Sequence, residues 1–327
     1  MPESGNVAST EALADRPQAT QKVPDFFIVG HHKSGTTALY EMLRSHPDIF
    51  MPELKETLFF ARELHPGIKP DDPQPDTLEE YLALFAPAKP GQRAGEASPS
   101  YLRSSTAAAR IAELAPDARI IAILREPASF LQSMHLEMLK DHTEIERDFR
   151  KAIAREQAER ETKPVLWYSK ERVQYTEQLR RYHAAFGPEQ VLILIYDDFR
   201  ADNEATVRRV LRFLGVDESA PVARSEANQA VLVRSPRLHG FIRSLYLGHG
   251  PVARILKPAL KALSTQRLRR HGLIHVRDRV IYGKPVAPDD RLMLELRRAF
   301  KPEVEALSEY LGRDLVSLWG YDSIPSD

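Results

Sequence analysis

The chain sets a four-residue apolar run, Phe26-Phe27-Ile28-Val29, directly before Gly30 and a loop of small and hydroxyl residues. A run this short and continuous reads as a strand buried on both faces. From Gly35 onward Leu39, Met42 and Leu43 recur at helical spacing until His46-Pro47 stops the pattern. The first unit is therefore strand, glycine-containing turn, helix. Ile120–Leu124 and Val191–Tyr196 are two more buried-strand runs. Between and after them the spacing predicts helices over Leu78–Phe85, Ser129–Lys140, Ile145–Gln157, Tyr168–Phe186, Val207–Leu214 and Arg291–Leu311. Gly215 and Gly312 close the last two. Strands alternating with helices predict an α/β domain with a mainly parallel central sheet flanked by helices on both faces. Ligands of such sheets bind at the carboxyl ends of the strands.

A length of 327 residues is enough for one large α/β domain, expected over 25–327 after a flexible tail at 1–24. The tail has no apolar core, so it is no signal peptide. No apolar run reaches membrane-span length, and the expected compartment is the cytoplasm. The absence of cysteine excludes disulfide scaffolds, thiol catalysis and Cys-ligated metals. Forty-six basic residues balance 46 acidic ones, which argues against a nucleic-acid partner.

Gly30-His31-His32-Lys33-Ser34-Gly35-Thr36-Thr37 sits where a strand hands over to a helix. Gly35 permits close backbone approach, and the first helical amides favour an anion. Lys33 adds charge; Ser34, Thr36 and Thr37 add hydroxyl donors. This is chemistry for a phosphate or a sulfate. It is not a Walker loop, where the lysine follows the glycine and the next hydroxyl binds Mg²⁺.

Lys33-Ser34-Gly35-Thr36-Thr37 with Leu39 resembles the 5′-phosphosulfate loop of sulfotransferases that use 3′-phosphoadenosine 5′-phosphosulfate. Lys55-Glu56-Thr57-Leu58-Phe59-Phe60 and Gly95-Glu96-Ala97-Ser98-Pro99-Ser100-Tyr101-Leu102 resemble two further segments of the heparan-sulfate and bacterial types. Arg125-Glu126-Pro127 followed by Ser133 matches the family's 3′-phosphate motif. Tyr196-Asp197-Asp198-Phe199, and Leu311-Gly312-Arg313-Asp314-Leu315 with Trp319, match its later segments. Three positions depart: His31-His32 precede the lysine, Ala97 replaces a common lysine, and Phe130 replaces a second arginine.

The resemblance implies a P-loop-NTPase-like three-layer fold and a sulfuryl transfer that needs no metal. It assigns Lys33 to the leaving oxygen of the donor. Ser34, Gly35, Thr36 and Thr37 would hold its 5′-phosphate, Arg125 and Ser133 its 3′-phosphate, and Tyr196 its adenine. Glu56, with a pKa raised by desolvation, would be the general base, with His32 and His135 as competitors. Lys55, Glu96 and Ser98 would line the acceptor pocket. The acceptor would be a small molecule, glycan or lipid bearing a hydroxyl or amine. Two alternatives stay open: a small-molecule kinase and a nucleotide-binding protein without catalysis.

Residues 234–284 carry twelve basic side chains and one acid, Asp278, so the block is +11 and the remainder −11. Its part 271–284 reads as a basic lid over the donor, with Arg277, Arg279 or Lys284 completing the 3′-phosphate site. Its part 241–270 reads equally as a peripheral membrane contact or as a solvated basic face.

Overall fold

Apolar side chains that alternate across a pleat need cover on both sides. The computed structural model of the chain shows how they get it. It describes residues 22–65, 67, 73–141, 143–162, 165–222, 232–233, 282–283 and 289–324. The expected tail, the basic block with Arg277 and Arg279, and the stretch 241–270 lie almost entirely outside these residues.

Strands β1 (Phe26–Ile28), β2 (Ile49–Phe50), β3 (Arg93–Ala97), β4 (Arg119–Leu124) and β5 (Val191–Ile195) form one parallel sheet in the order β2-β3-β1-β4-β5. A short antiparallel pair joins Leu232–Val233 to Tyr282–Gly283. β1 is central, with Ile28 level with Ala97 on one side and Ile121 on the other. Phe27, Val29, Ile120, Ala122 and Leu124 face one layer. That layer holds helices α3 (Ser100–Arg103), α4 (Ala107–Leu114), α5 (Pro127–Asp141), α7 (Tyr175–Ala185) and the long C-terminal helix Asp290–Leu311. Phe26, Ile28, Ile121, Ile123, Leu192 and Leu194 face the other, formed by α1 (Thr36–Arg44) and α9 (Asn203–Leu214). Each of these large side chains, once fully buried, contributes about 1.5–3 kcal/mol. The expected three-layer α/β fold is observed.

Helix limits follow local caps. Asp202 accepts from Ala205 N–H at the start of α9, and Gly215 ends it at φ 67°. Gly312 ends the C-terminal helix at φ 60°. Two predicted helices begin later than periodicity suggests. Asp148 caps α6 (Phe149–Ala158), leaving Ile145 in the preceding irregular stretch, 82% exposed. Tyr168–Phe186 divides into a 3₁₀ turn at Lys170–Val173 and α7, because Ser169 and Gln174 leave helical geometry. Two further bounds differ from the apolar pattern. The short α2 (Leu78–Ala83) ends at Ala83 rather than Phe85, and α8 (Tyr196–Ala201) starts where a strand end was expected.

The C-terminal segment closes back on the sheet. Arg313 pairs bidentately with Asp198, at 2.6 and 2.7 Å, and Trp319 Nε1 donates to Asp197 at 2.9 Å. Tyr321 donates to the buried Glu126 carboxylate, which also caps α5 through the amides of Ala128 and Ser129. Two segments more than a hundred residues apart thereby fix the carboxyl ends of β4 and β5.

Close strand packing leaves no room for a Cβ at Gly30, where it would stand 2.5 Å from Ile123 Cγ2 and 2.6 Å from Ile123 O. Gly30→Ala is expected to destabilise the fold by about 1–3 kcal/mol. Urea denaturation checks this as a lower midpoint at unchanged m.

Candidate active site

The loops that follow β1, β3, β4 and β5 all emerge at one end of the sheet. After β1 the chain turns through Lys33 at φ 60° and Gly35 at φ 89° into α1. No side chain caps α1, so the amides of its first turn face outward. A Cβ on Gly35 would lie 2.9 Å from the Phe199 ring and 3.3 Å from Tyr196. Arg125, just after β4, donates from Nη1 to Lys33 O at 2.8 Å and lies 4.8 Å from the Tyr196 ring centroid. Tyr175 donates to Arg125 O at 3.0 Å. Tyr196 therefore braces Arg125 through a cation–π contact. Ser133 is buried on α5, and Glu137 one turn later shares its face. Glu137 accepts from Lys33 Nζ at 2.9 Å. Burial raises the Glu137 pKa, but Lys33 and Lys140 outweigh it and leave the carboxyl below its ordinary range.

A second turn faces this loop. Glu56 and Leu58 hold left-handed backbone at φ 61° and 59°, and Glu56 N donates to Ala97 O at the end of β3. Lys33, Glu56 and Leu58 are the non-glycine residues at positive φ among the described residues, and all three lie here. Such strain, about 1–3 kcal/mol each, persists where the surroundings over-determine it. The restraint is a buried polar network beneath the turn. The Glu96 carboxylate, 1% exposed, accepts from Thr57 Oγ1 at 2.6 Å, Tyr81 OH at 2.6 Å and Ser98 Oγ at 2.7 Å. Thr57 Oγ1 also meets Tyr101 OH, and Ser98 Oγ accepts from Leu58 N.

Lys55 Nζ donates to Glu56 Oε1, and His32 Nε2 lies 3.8 Å from Glu56 Oε2. Burial pushes the His32 imidazole down to about 4 against the pull of Glu56, so it is neutral at pH 7. For Glu56, burial pushes up, but the charge and hydrogen bond of Lys55 help to hold its carboxyl below the usual range. The expected raised pKa is thus corrected. Glu56 is an ionised acceptor of protons at neutral pH, held so by its cationic neighbour.

Three further expectations change. His135 stands apart from the site: its Nε2 donates to Arg147 O at 3.3 Å, its Nδ1 accepts from Tyr168 OH at 2.8 Å, and it stacks on Phe149. Both nitrogens are spent on structure. Glu96 and Ser98 lie behind the Glu56 turn, where their hydrogen bonds support it instead of lining a pocket. Phe130, the departure from the 3′-phosphate motif, packs edge-on against His31 at 4.9 Å. Tyr175 covers His31 from another side at 4.7 Å, and Gln178 Oε1 accepts from its Nε2 at 2.9 Å. Two of the departures are therefore one packed unit.

Residues without a sequence signal also shape the site. Glu137 was foreshadowed only by its i+4 spacing from Ser133. Thr57 and Tyr101 stand inside the two family-like segments with no role assigned to them, and Tyr81 belongs to no motif. A cavity of about 460 Å³, lined by Asp25, Arg93 and Arg119 among others, opens near the amino ends of the strands, away from these groups. No helix among the described residues is long and apolar enough to cross a membrane.

Comparison with known proteins adds a family. A family model described as "Sulfotransferase domain" matches residues 23–232. The chain is 28% identical over 199 residues to heparan sulfate glucosamine 3-O-sulfotransferase 3A1 of Mus musculus, covering 61% of this chain and 47% of that protein. It is 28% identical over 213 residues to bifunctional heparan sulfate N-deacetylase/N-sulfotransferase 3 of Homo sapiens, covering 62% of this chain and 23% of that protein. The chain thus spans about half or less of the length of these relatives. The crystal structure of a sulfotransferase from Alicyclobacillus acidocaldarius superposes with a TM-score of 0.64 at 26% identity, covering 90% of this chain and 98% of that one.

The His31 environment makes stability acid-sensitive. Burial pushes its pKa down to about 3, so the unfolded chain takes up a proton that the folded chain refuses. Stability is complete above the unfolded histidine value and is lost as pH falls below it, by about 3 kcal/mol at pH ~4. His31→Asn should lack this part of the pH slope in urea titrations; an unchanged slope would refute the assignment.

Proposed function

The chain belongs to the sulfotransferase domain family, and from that premise we propose that it transfers a sulfuryl group from 3′-phosphoadenosine 5′-phosphosulfate to an acceptor hydroxyl or amine. The acceptor is a small molecule, glycan or lipid. The observation that carries this reading is the convergence of Lys33, Arg125 and the Glu56 turn at one end of the sheet. The residues fit such a donor. Uncapped α1 amides, a glycine cradle too tight for a Cβ, and two cations suit its phosphates.

The donor supplies an activated sulfuryl group in a loose in-line displacement, so the protein's work is positioning and electrostatics. Gly35, Thr36, Thr37 and Ser34 bind the 5′-phosphate. Arg125, braced on Tyr196, and Ser133 bind the 3′-phosphate. Lys33 leaves Glu137 and stabilises charge on the departing oxygen. Glu56 takes the proton from the attacking acceptor, while Lys55 keeps it ionised and offers charge to the transferring group. His32, neutral beside Glu56, orients it. Cytoplasmic location and the basic lid with Arg277 and Arg279 belong to the same proposal, as does membrane contact through 241–270.

The direct test incubates the full chain with labelled sulfuryl donor and a panel of carbohydrate, phenolic and lipid acceptors, with and without chelator. Chelator-insensitive labelling is expected; Mg²⁺-dependent consumption of ATP without labelling would overturn the reading. Lys33→Ala should lower kcat/KM by about 10²–10³-fold and weaken binding of 3′-phosphoadenosine 5′-phosphate. Glu56→Gln should lower kcat by about 10²–10⁴-fold with nucleotide affinity unchanged. Calorimetry of Glu137→Gln should show nucleotide binding tightened up to about fivefold, since Lys33 no longer has to leave a partly exposed partner.

A further inference from the structure

Helix α7 reaches three of the segments that build the site, and it does so from one face. Tyr175, Gln178 and Tyr182 stand at i, i+3 and i+7, the spacing of a single helical stripe. All three are buried. A buried stripe ordinarily carries apolar side chains. Here each of the three ends in a hydrogen-bonding group, and each group meets a different segment.

Tyr175 OH donates to Arg125 O, at the exit of β4, at 3.0 Å. Arg125 in turn donates to Lys33 O, so the tyrosine hydroxyl stands one residue from the lysine backbone held at φ 60°. Gln178 acts on the loop after β1. Its Nε2 donates to Glu171 O at 3.2 Å and to Arg172 O at 3.1 Å. Those carbonyls fix which way the amide points, so its Oε1 accepts from His31 Nε2 at 2.9 Å. Phe130 and the Tyr175 ring close on the same imidazole. Tyr182 OH donates to Tyr101 O at 2.9 Å, and Tyr101 OH meets Thr57 Oγ1 beneath the Glu56 turn. The helix is itself pinned where the stripe begins: Thr176 N donates to Glu303 Oε1 at 2.8 Å.

We propose that α7 is a bracket whose polar stripe positions the donor-binding groups. Tyr175 sets Arg125 for the 3′-phosphate. Gln178, through His31, sets the loop from Lys33 to Thr37 for the 5′-phosphate. Tyr182 holds the Glu56 side of the site and does not act on the nucleotide. All three are positioning residues, because each works through another residue. The loops need such a hold, since a misplacement of about 1 Å can cost a reaction about 10²-fold. That the bracket serves a nucleotide rests on the proposed sulfuryl transfer; that it fixes the loops does not.

Calorimetry of the full chain with 3′-phosphoadenosine 5′-phosphate and with adenosine 5′-phosphate, which lacks the 3′-phosphate, reads the contacts separately. Tyr175→Phe removes one oxygen and keeps the ring. It should weaken the bisphosphate about threefold or more and leave the monophosphate within about twofold. Gln178→Met keeps the volume and loses the amide, and it should weaken both nucleotides by a similar factor, about threefold or more. Tyr182→Phe loses the same kind of buried hydroxyl and should change neither. In an Arg125→Ala background the effect of Tyr175→Phe should vanish, since the group it aims is gone. Equal loss of both nucleotides in Tyr175→Phe, or losses in Tyr182→Phe that match the other two, would reduce the stripe to core packing and overturn the bracket. Unchanged affinities in Tyr175→Phe and Gln178→Met would overturn it as well. A wild-type chain that binds neither nucleotide would count against the sulfotransferase reading instead. Hydrogen exchange of the nucleotide-free chain then decides the bracket by itself. Amides of residues 31–35 should exchange about threefold or more faster in Gln178→Met than in Tyr182→Phe, and equal rates would refute it.

Discussion

Everything at the candidate site depends on β1 pairing in parallel with strands on both of its sides. Three residues, Phe26 to Ile28, hold register with β3 and β4 at once. Parallel pairing sends every strand out at the same end of the sheet, so the loops after β1, β3 and β4 meet without long excursions. The pairing even continues past the strand: Ser98 N donates to Ile28 O, and His31 N to Ile123 O. Lys33, the Glu56 turn and Arg125 inherit their relative positions from these few backbone hydrogen bonds. The glycines at 30 and 95 permit it, because a Cβ at either would strike the neighbouring strand.

The site then spends stability on geometry. Three residues in left-handed backbone would relax if their surroundings let them. Arg125 holds the Lys33 carbonyl, and the Glu96 network holds Thr57 and Leu58. A carboxylate buried among three hydroxyl donors is tolerable only because each oxygen is satisfied. A polar network fully paired under the Glu56 turn marks where the protein supports itself.

The C-terminal segment adds a long-range restraint. Arg313 and Trp319 fix two consecutive aspartates that follow Tyr196, and Tyr321 fixes the carboxylate that follows Arg125. Two residues expected at the donor are thus each one position from a pin made by the end of the chain. That pairing explains why motifs at opposite ends of the sequence belong together.

The apolar runs at 26–29, 120–124 and 191–196, and the glycine loop at 30–37, were enough to specify a parallel α/β sheet and the end of it that carries the candidate site. Lys33 and Arg125 were legible for the same reason: they follow strands directly, where local order alone predicts position. Strand order, the pin of Arg313 on Asp198 and the Lys33–Glu137 pair were not legible, because they join residues about a hundred positions apart and no local period records them. The roles of His135, Glu96 and Glu56 changed for a related reason. A titratable side chain takes its pKa and its free valences from burial and from neighbours that the fold assembles, so sequence names the group while tertiary structure decides whether it is base, brace or buried support.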